Sequence, residues 1–555
     1  MIKTLIHKVE NMPMSFWQGV IILYIIVLLR TIIESFVNIA FDGKFAGFFG
    51  TLFVQPFWFF CAFLTLFIIF NLLTKEKIEK TSKFGIIISP LMFIPPIVDI
   101  LLKGPWSVYY VFVQGSSSEL LFSYLTFFLN TGIMVSIGMK IAALVLLGLS
   151  AAYIFSKTKN WKKALLGVFL VYTIFSFYSA IPSYIFASYN FISKDYAQIG
   201  RASETDFYFS RDPMLSNTKN RTIIFDNNFS NNDSVKFKIS PEAENNFYMI
   251  IAVALWIMSL FLLSAWFALY DKEKFKSIFR NFRYLRIILY FSLVFIGISL
   301  GSLYSGKWPV NSLFDITSIA SIYLALLFAG LFSIWENDEI DVEIDKISNR
   351  ERPLPQGKLS LKEWREIKYF FLILSLGFSF LSGYYTLLLI LTFLATYHIY
   401  SAPPLRLKGI PVLSSALIGF LTLVSVWLGF FISSGTEKVY SFPLRYSFGI
   451  WCFFFLIENF KNIKDIKGDR LAKIKTLPAI LGEENGKFIT GLLAWLAPFA
   501  LAISFLFNLY TFLTAFIFGF IFFFLINRKN YREKYVFFAI YLFIVSFSVE
   551  FYLLS

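Results

Sequence analysis

Leu313–Leu359 reads LFDITSIASIYLALLFAGLFSIWENDEIDVEIDKISNRERPLPQGKL. The run 313–335 is long and apolar enough to cross a bilayer as a helix, which takes roughly 20 such residues. The remainder turns acidic and then basic. Asn337, Asp341 and Asp345 recur at i, i+4 and i+8, so a helix continuing out of the membrane would carry all three on one face, with Asp338 beside them. Carboxylates stacked in this way repel one another unless a cation sits among them. Hard divalent ions such as Mg²⁺ take oxygen ligands, typically one or two carboxylates plus substrate phosphates.

A second acidic pair, Asp465 and Asp469, stands i, i+4 at the end of the apolar run 443–460. Basic residues accompany both clusters: Arg350 and Arg352 follow the first, and Lys461 and Arg470 surround the second. A third basic element is Tyr400–Lys408, YSAPPLRLK, in which Pro403 and Pro404 break a helix at the membrane surface. Taken alone, Tyr400 reads as an interfacial aromatic, Arg406 and Lys408 as ordinary interfacial cations, and either acidic pair as a solvated helix end. Their conjunction points to chemistry. Carboxylate–Mg²⁺ clusters ringed by Arg and Lys suit a diphosphate, both to bind it and to stabilise it as it leaves.

The surrounding sequence is membranous. Of 555 residues, 57% are hydrophobic and 15% charged, against about 45–50% and about 25% in soluble proteins. Fifteen apolar runs have the length of spans: 17–39, 51–73, 84–102, 132–156, 163–187, 247–270, 283–304, 313–335, 367–383, 385–401, 410–432, 443–460, 487–507, 509–526 and 534–554. With 105–131 not crossing, a single orientation puts 36 Lys and Arg in the inside loops and 5 in the short outside loops. That asymmetry predicts a cytoplasmic N-terminus and cytoplasmic catalytic loops, with the C-terminus and the long loop 188–246 outside. It also accounts for the net charge of +15 without nucleic acid. Two Cys and two His leave no disulfide framework and no Cys- or His-based metal cluster.

Two regions follow: residues 1–270, a helical membrane domain of about six spans, and 271–555, with nine. Lys140 lies in the middle of an N-terminal span. The linker 271–286 is basic and amphipathic and is expected to lie at the membrane surface. Loop 188–246 is polar, with short β-like runs at Thr222–Phe225 and Ser234–Ile239. Its glycosylation triplets begin at Asn220, Asn228 and Asn232.

The motifs resemble those of the UbiA superfamily of intramembrane prenyltransferases. Asn337-Asp338-x-x-Asp341-x-x-x-Asp345 is similar to its first Asp-rich motif, Arg352–Gly357 to the Arg-Pro-x-Pro-x-Gly continuation, and Asp465–Pro478 to its second motif. The resemblance covers roughly 275–555. It implies an all-α, nine-helix bundle with a central cavity opening to the membrane, preceded here by the separate helical domain. It implies Mg²⁺-assisted ionisation of a prenyl diphosphate, expected to be geranylgeranyl or longer, and transfer to a lipophilic acceptor. By position, Asn337, Asp341, Asp465 and Asp469 would hold Mg²⁺, assisted by Asp338 and Asp345. Arg352 and Lys408, with Arg350 and Lys461, would contact the diphosphate, and Tyr400 would line the pocket. One departure stands out: many relatives carry Lys-Asp before the second motif, whereas this chain has Lys461-Asn462.

The acceptor stays open among an isoprenoid or ether lipid, a quinone precursor and a tetrapyrrole. A competing reading is an ion-coupled transporter, whose sites lie near the bilayer midplane, or a silent lipid-binding scaffold. The carboxylates at span ends and the intact acidic positions favour the enzyme. Residues 1–270 are expected to recruit a protein partner or substrate.

Overall fold

The computed structural model describes residues 2–42, 50–102, 124–125, 137–192, 223–224, 236–237, 241–310, 313–436, 439–471, 475–505 and 508–554. The stretch 105–131, apart from 124–125, and the three glycosylation triplets lie outside these. The protein is all-α and built for a membrane. Eleven helices among the described residues are long and apolar enough to cross a bilayer. A helix satisfies its own backbone hydrogen bonds, as hydrocarbon requires. The only extended pairing among the described residues is a two-stranded antiparallel ribbon, β1 (Ile223–Ile224) with β2 (Lys236–Phe237). It falls inside the two β-like runs of loop 188–246.

The chain forms two compact units, Met1–Phe275 with Asn311–Thr317, and Lys276–Val310 with Ser318–Ser555. In the first, the helix Ile2–Glu10 is anchored by its last residue. Glu10 is buried, accepts from Tyr153 Oη at 3.0 Å and pairs with Lys157 at 2.6 Å. Lys157 also reaches Glu76 at 3.4 Å.

Nine long helices among the described residues belong wholly or mostly to the second unit: α1 (Tyr284–Ser305), α2 (Leu313–Ile340), α3 (Leu361–Leu381), α4 (Tyr384–Ser401), α5 (Pro411–Ser434), α6 (Leu444–Ile457), α7 (Glu483–Phe505), α8 (Leu509–Asn527) and α9 (Glu533–Leu554). Their ends are written locally. Ser360 and Glu363 form a reciprocal capping box at the start of α3. Pro411 opens α5, where its missing N–H costs nothing. The run 443–460 is helical only to Ile457 and continues as a 3₁₀ turn, Glu458–Asp465.

The closest packing joins α1 to α5. A Cβ on Gly297 would lie 2.0 Å from Val426 O, and one on Gly429 would lie 2.0 Å from Val294 O. Small residues that let backbones meet are the usual device where lipid removes the hydrophobic drive to associate. Ser433 Oγ adds a hydrogen bond to Ile298 O at 2.8 Å. Helices α2 and α3 are joined by stacked Trp335 and Trp364 rings, 5.0 Å apart, and by the Trp364 Nε1 bond to Trp335 O at 2.9 Å. Glu339 then pairs with Arg365 at 2.6 Å and Lys368 at 2.7 Å. These contacts fix the end of α2, where the first acidic motif begins.

Gly429→Val is expected to lower the thermal unfolding midpoint in detergent by several degrees, since overpacking costs about 1–3 kcal/mol. Gly148→Ala, where a Cβ meets nothing within 4 Å, should leave it unchanged.

Candidate active site

At the end of α2 the backbone ladder continues past Ile340: Asp341 N bonds to Asn337 O at 2.9 Å and Asp345 N to Asp341 O at 2.8 Å. The four polar residues nevertheless divide into two groups. Asp338, fully buried, accepts from Asn281 Nδ2 at 3.0 Å, from Arg283, and from Arg352 NH1 at 3.1 Å. Asp345 pairs with Arg352 and accepts from Asn349 Nδ2 at 2.9 Å. Arg352 thus bridges two carboxylates, and they hold its guanidinium above the ordinary range against the opposing effect of burial. Burial raises the Asp345 carboxyl despite that partner.

Asn337 and Asp341 turn instead toward the loop after α4. Arg406 has its backbone in the left-handed region, φ +42°, a conformation that costs a non-glycine residue about 1–2 kcal/mol. This turn delivers two cations to one carboxylate: Arg406 pairs with Asp341 at 2.7 Å, and Lys408 with its other oxygen. Lys408 Nζ also donates to Asn337 Oδ1 at 3.2 Å, and Ser401 Oγ does so at 3.3 Å. Arg406 Nε is buried and donates to no described residue, which leaves it able to take an anionic oxygen.

The second motif folds as the 3₁₀ turn ending at Asp465, followed by a short helix, Ile466–Leu471, that carries Asp469. Thr476 Oγ1 donates to Asp469 Oδ2 at 2.9 Å. The short helix Ile466–Leu471 packs against Val342–Ser348, which follows Asp341, so the two motifs lie side by side. Burial pushes the Asp469 carboxyl up to about 6, aided by the neighbouring carboxylates and opposed by Thr476 and Lys408. Asp465 accepts no hydrogen bond and forms no ion pair with any described residue. Burial lowers the Lys408 ammonium, with Asp341 opposing the shift.

Asn337, Asp341, Asp465 and Asp469 offer oxygen donors only. That set fits a hard divalent ion. Among the described residues no group of three or more His, Cys, Asp or Glu side chains is placed to hold a metal ion by itself. Asp338, Asp345 and Arg352 form the separate ion cluster alongside. Arg350 is exposed and bonds to Lys346 O at 2.9 Å. Arg470, beside the second motif, is engaged with Ala479 O at 2.9 Å.

Beneath the acidic mouth lies a cavity of about 80 Å³. Arg286, Tyr400, Lys461 and Asp465 line it, together with the apolar Leu289, Phe393 and Phe454. Burial lowers the Lys461 ammonium to about 8. Phe454 also lines a second, apolar cavity of about 200 Å³ with Leu293, Leu300 and Phe547. Phe295, Ile296 and Ile544 are shared between that cavity and a groove of about 870 Å³ between α1 and α9. Arg286 in the first cavity and Leu300 in the second stand about 21 Å apart along α1. Arg283, Arg286, Arg406 and Glu458 were not among the site residues read from sequence. Arg406 had a local signal in its place beside Lys408, and Glu458 in its place within the apolar run 443–460; Arg283 and Arg286 had none.

A model of the UbiA prenyltransferase family matches residues 290–547. Digeranylgeranylglyceryl phosphate synthase of Sulfurisphaera tokodaii is 30% identical over 200 residues, 35% of this chain and 67% of that protein. The enzyme of the same name from Saccharolobus solfataricus is 30% identical over 218 residues, 38% of this chain and 73% of that protein. The solved structure of a UbiA homolog from Archaeoglobus fulgidus bound to GPP and Mg²⁺ aligns with a TM-score of 0.40 at 19% identity, covering 50% of this chain and 98% of that one.

Arg352→Ala is expected to destabilise the fold by about 3–5 kcal/mol, because removing one partner leaves buried charge uncompensated; chemical denaturation reads it. Divalent-cation affinity is expected to fall about tenfold per pH unit below about 6, as Asp469 protonates. Thr476→Val removes a hydrogen bond that favours the ionised form, so that limb should move to higher pH. A cation-binding titration between pH 5 and 8 checks both.

Proposed function

The chain belongs to the UbiA prenyltransferase family, and from that premise we propose that it transfers a prenyl group from a prenyl diphosphate to a lipophilic acceptor at the membrane face of its second unit. The observation that carries this reading is the packing of both acidic motifs together, with two cations on Asp341, beside a cavity lined by polar and apolar side chains. Carboxylates and a diphosphate have the same sign and repel. They share a site only through cations.

Asn337, Asp341, Asp465 and Asp469 would hold Mg²⁺, which supplies charge neutralisation that makes the diphosphate a better leaving group. Lys408 and Arg406 stand beside Asp341 with donor capacity to spare, and would take diphosphate oxygens as negative charge grows on them. Arg352 keeps Asp338 and Asp345 neutralised, so the end of α2 holds its shape with or without substrate. The apolar cavities along α1 supply a dry path for a long prenyl chain, in keeping with geranylgeranyl or longer. The groove between α1 and α9 gives lipids lateral access. Water exclusion there protects the allylic cation from capture, and the aromatic faces of Phe393 and Phe454 suit positive charge.

The carboxylates sit at a helix end and in a loop, whereas transporter ion sites favour the midplane; this supports the enzyme over a transporter. The chain is an integral, multi-pass membrane protein. Its N-terminus and catalytic loops face the cytoplasm in this proposal, as the Lys and Arg asymmetry supports. Residues 1–270 act as a separate domain that recruits a partner protein or substrate to the catalytic domain 271–555.

With geranylgeranyl diphosphate and extracted membrane lipid, purified protein is expected to release diphosphate only with Mg²⁺. Asp341→Ala and Asp469→Ala should each reduce the rate at least about 100-fold. Release that persists in either variant would count against the reading.

A further inference from the structure

The cavity beneath the mouth holds one carboxylate that diphosphate binding does not use. Glu458 opens the 3₁₀ turn after α6, is 3% exposed, and lines the cavity with Tyr400, Lys461, Asn462 and Asp465. Its one hydrogen bond among the described residues comes from Ser415 Oγ at 3.4 Å. That hydroxyl is shared, since it also accepts from Asn459 Nδ2 at 2.9 Å and reaches Pro411 O at 3.2 Å.

An ionised carboxylate offers about four acceptor sites, and Ser415 fills one of them. The groups facing Glu458 are Lys461 on its own turn, Tyr290 from α1 and Tyr400 from α4. Arg286, which also lines the cavity, is committed to Glu533 at the head of α9, 3.7 Å away. None of them donates a hydrogen bond to the Glu458 carboxylate. Ile457, Phe454 and Leu289 line the same cavity as Glu458, so a lipophilic molecule seated there could present its polar head to this carboxylate.

We infer that Glu458 seats the acceptor: it receives a hydrogen bond from an acceptor hydroxyl and takes that proton during transfer. The inference rests on the prenyltransferase reading and narrows the acceptor to a lipophile that reacts through a hydroxyl. In the step, the bond from prenyl C1 to the diphosphate oxygen breaks and its electron pair leaves on the diphosphate. A lone pair of the acceptor oxygen forms the new bond to C1, and the hydroxyl proton passes to the Glu458 carboxylate. Asn462 cannot serve in this way, because an amide does not act as a base.

The test uses full-length protein with geranylgeranyl diphosphate and Mg²⁺, and geranylgeranylglycerol or its phosphate as the hydroxyl probe. Ether formation is read by mass spectrometry, beside acceptor-free diphosphate release and binding of geranylgeranyl thiodiphosphate. E458Q keeps an oxygen for Ser415, so a role confined to that hydrogen bond would leave all three readouts unchanged. The expected result is ether formation reduced about 100-fold, with diphosphate release and analogue binding within threefold of wild type. E458D, which retains a displaced carboxylate, should lose about tenfold and serves if E458Q does not fold. The inference is overturned by ether formation within threefold of wild type in these variants, by a parallel loss of analogue binding, or by wild-type protein that releases diphosphate but alkylates neither probe. Wild-type protein that releases no diphosphate would overturn the prenyltransferase reading itself.

Discussion

Buried negative charge at the end of α2 has to be matched, and the way it is matched organises the catalytic half. Asp338 and Asp345 are neutralised from within by Arg283 and Arg352. Asp341 is neutralised by Arg406 and Lys408, which arrive from the loop after α4. A cluster satisfied by fixed guanidinium groups can hold a helix end in place. One satisfied by a Lys and by an Arg with a spare donor can exchange its partners when a substrate enters. The same motif thus supplies a permanent lock and a reactive face.

The division has an energetic logic. Burying an ion pair seldom adds much stability, but breaking one is expensive. The Arg352 bridge therefore makes the geometry hard to lose without making the helix end a strong stabiliser in its own right. Across the mouth, Asp465 and Asp469 add negative charge, and burial pushes the Asp469 carboxyl up, with the Asp465 charge adding to the shift. The site without ligand holds more carboxylate than its cations comfortably match, and a divalent ion arriving with a diphosphate relieves that imbalance.

Much of this was legible in the sequence. Membrane character followed from apolar run lengths, and the two acidic motifs were visible from spacing alone. Lys408 and Tyr400 were placed at the site by their motif. Helical spacing put Asp345 on the same face as Asp341, but it could not show that Arg352, seven residues on, would fold back and claim Asp345. Arg283 was hidden in a basic linker where each cation looks like an interfacial anchor. Glu458 lay at the end of the run 443–460 and read as the edge of a span. A carboxylate inside an apolar run is a functional marker by default, and that signal was available. Its isolation from solvent and its single weak hydrogen bond depend on tertiary packing, which spacing does not encode.

Both acidic motifs would hold one metal–diphosphate unit together. Electron paramagnetic resonance of Mn²⁺ added to the full-length protein, with and without geranylgeranyl thiodiphosphate, tests this most directly. The expected result is tight Mn²⁺ binding only when the analogue is present, lost equally in variants of Asp341 and of Asp469. Tight binding without the analogue, or binding that survives the loss of either motif, would contradict the account.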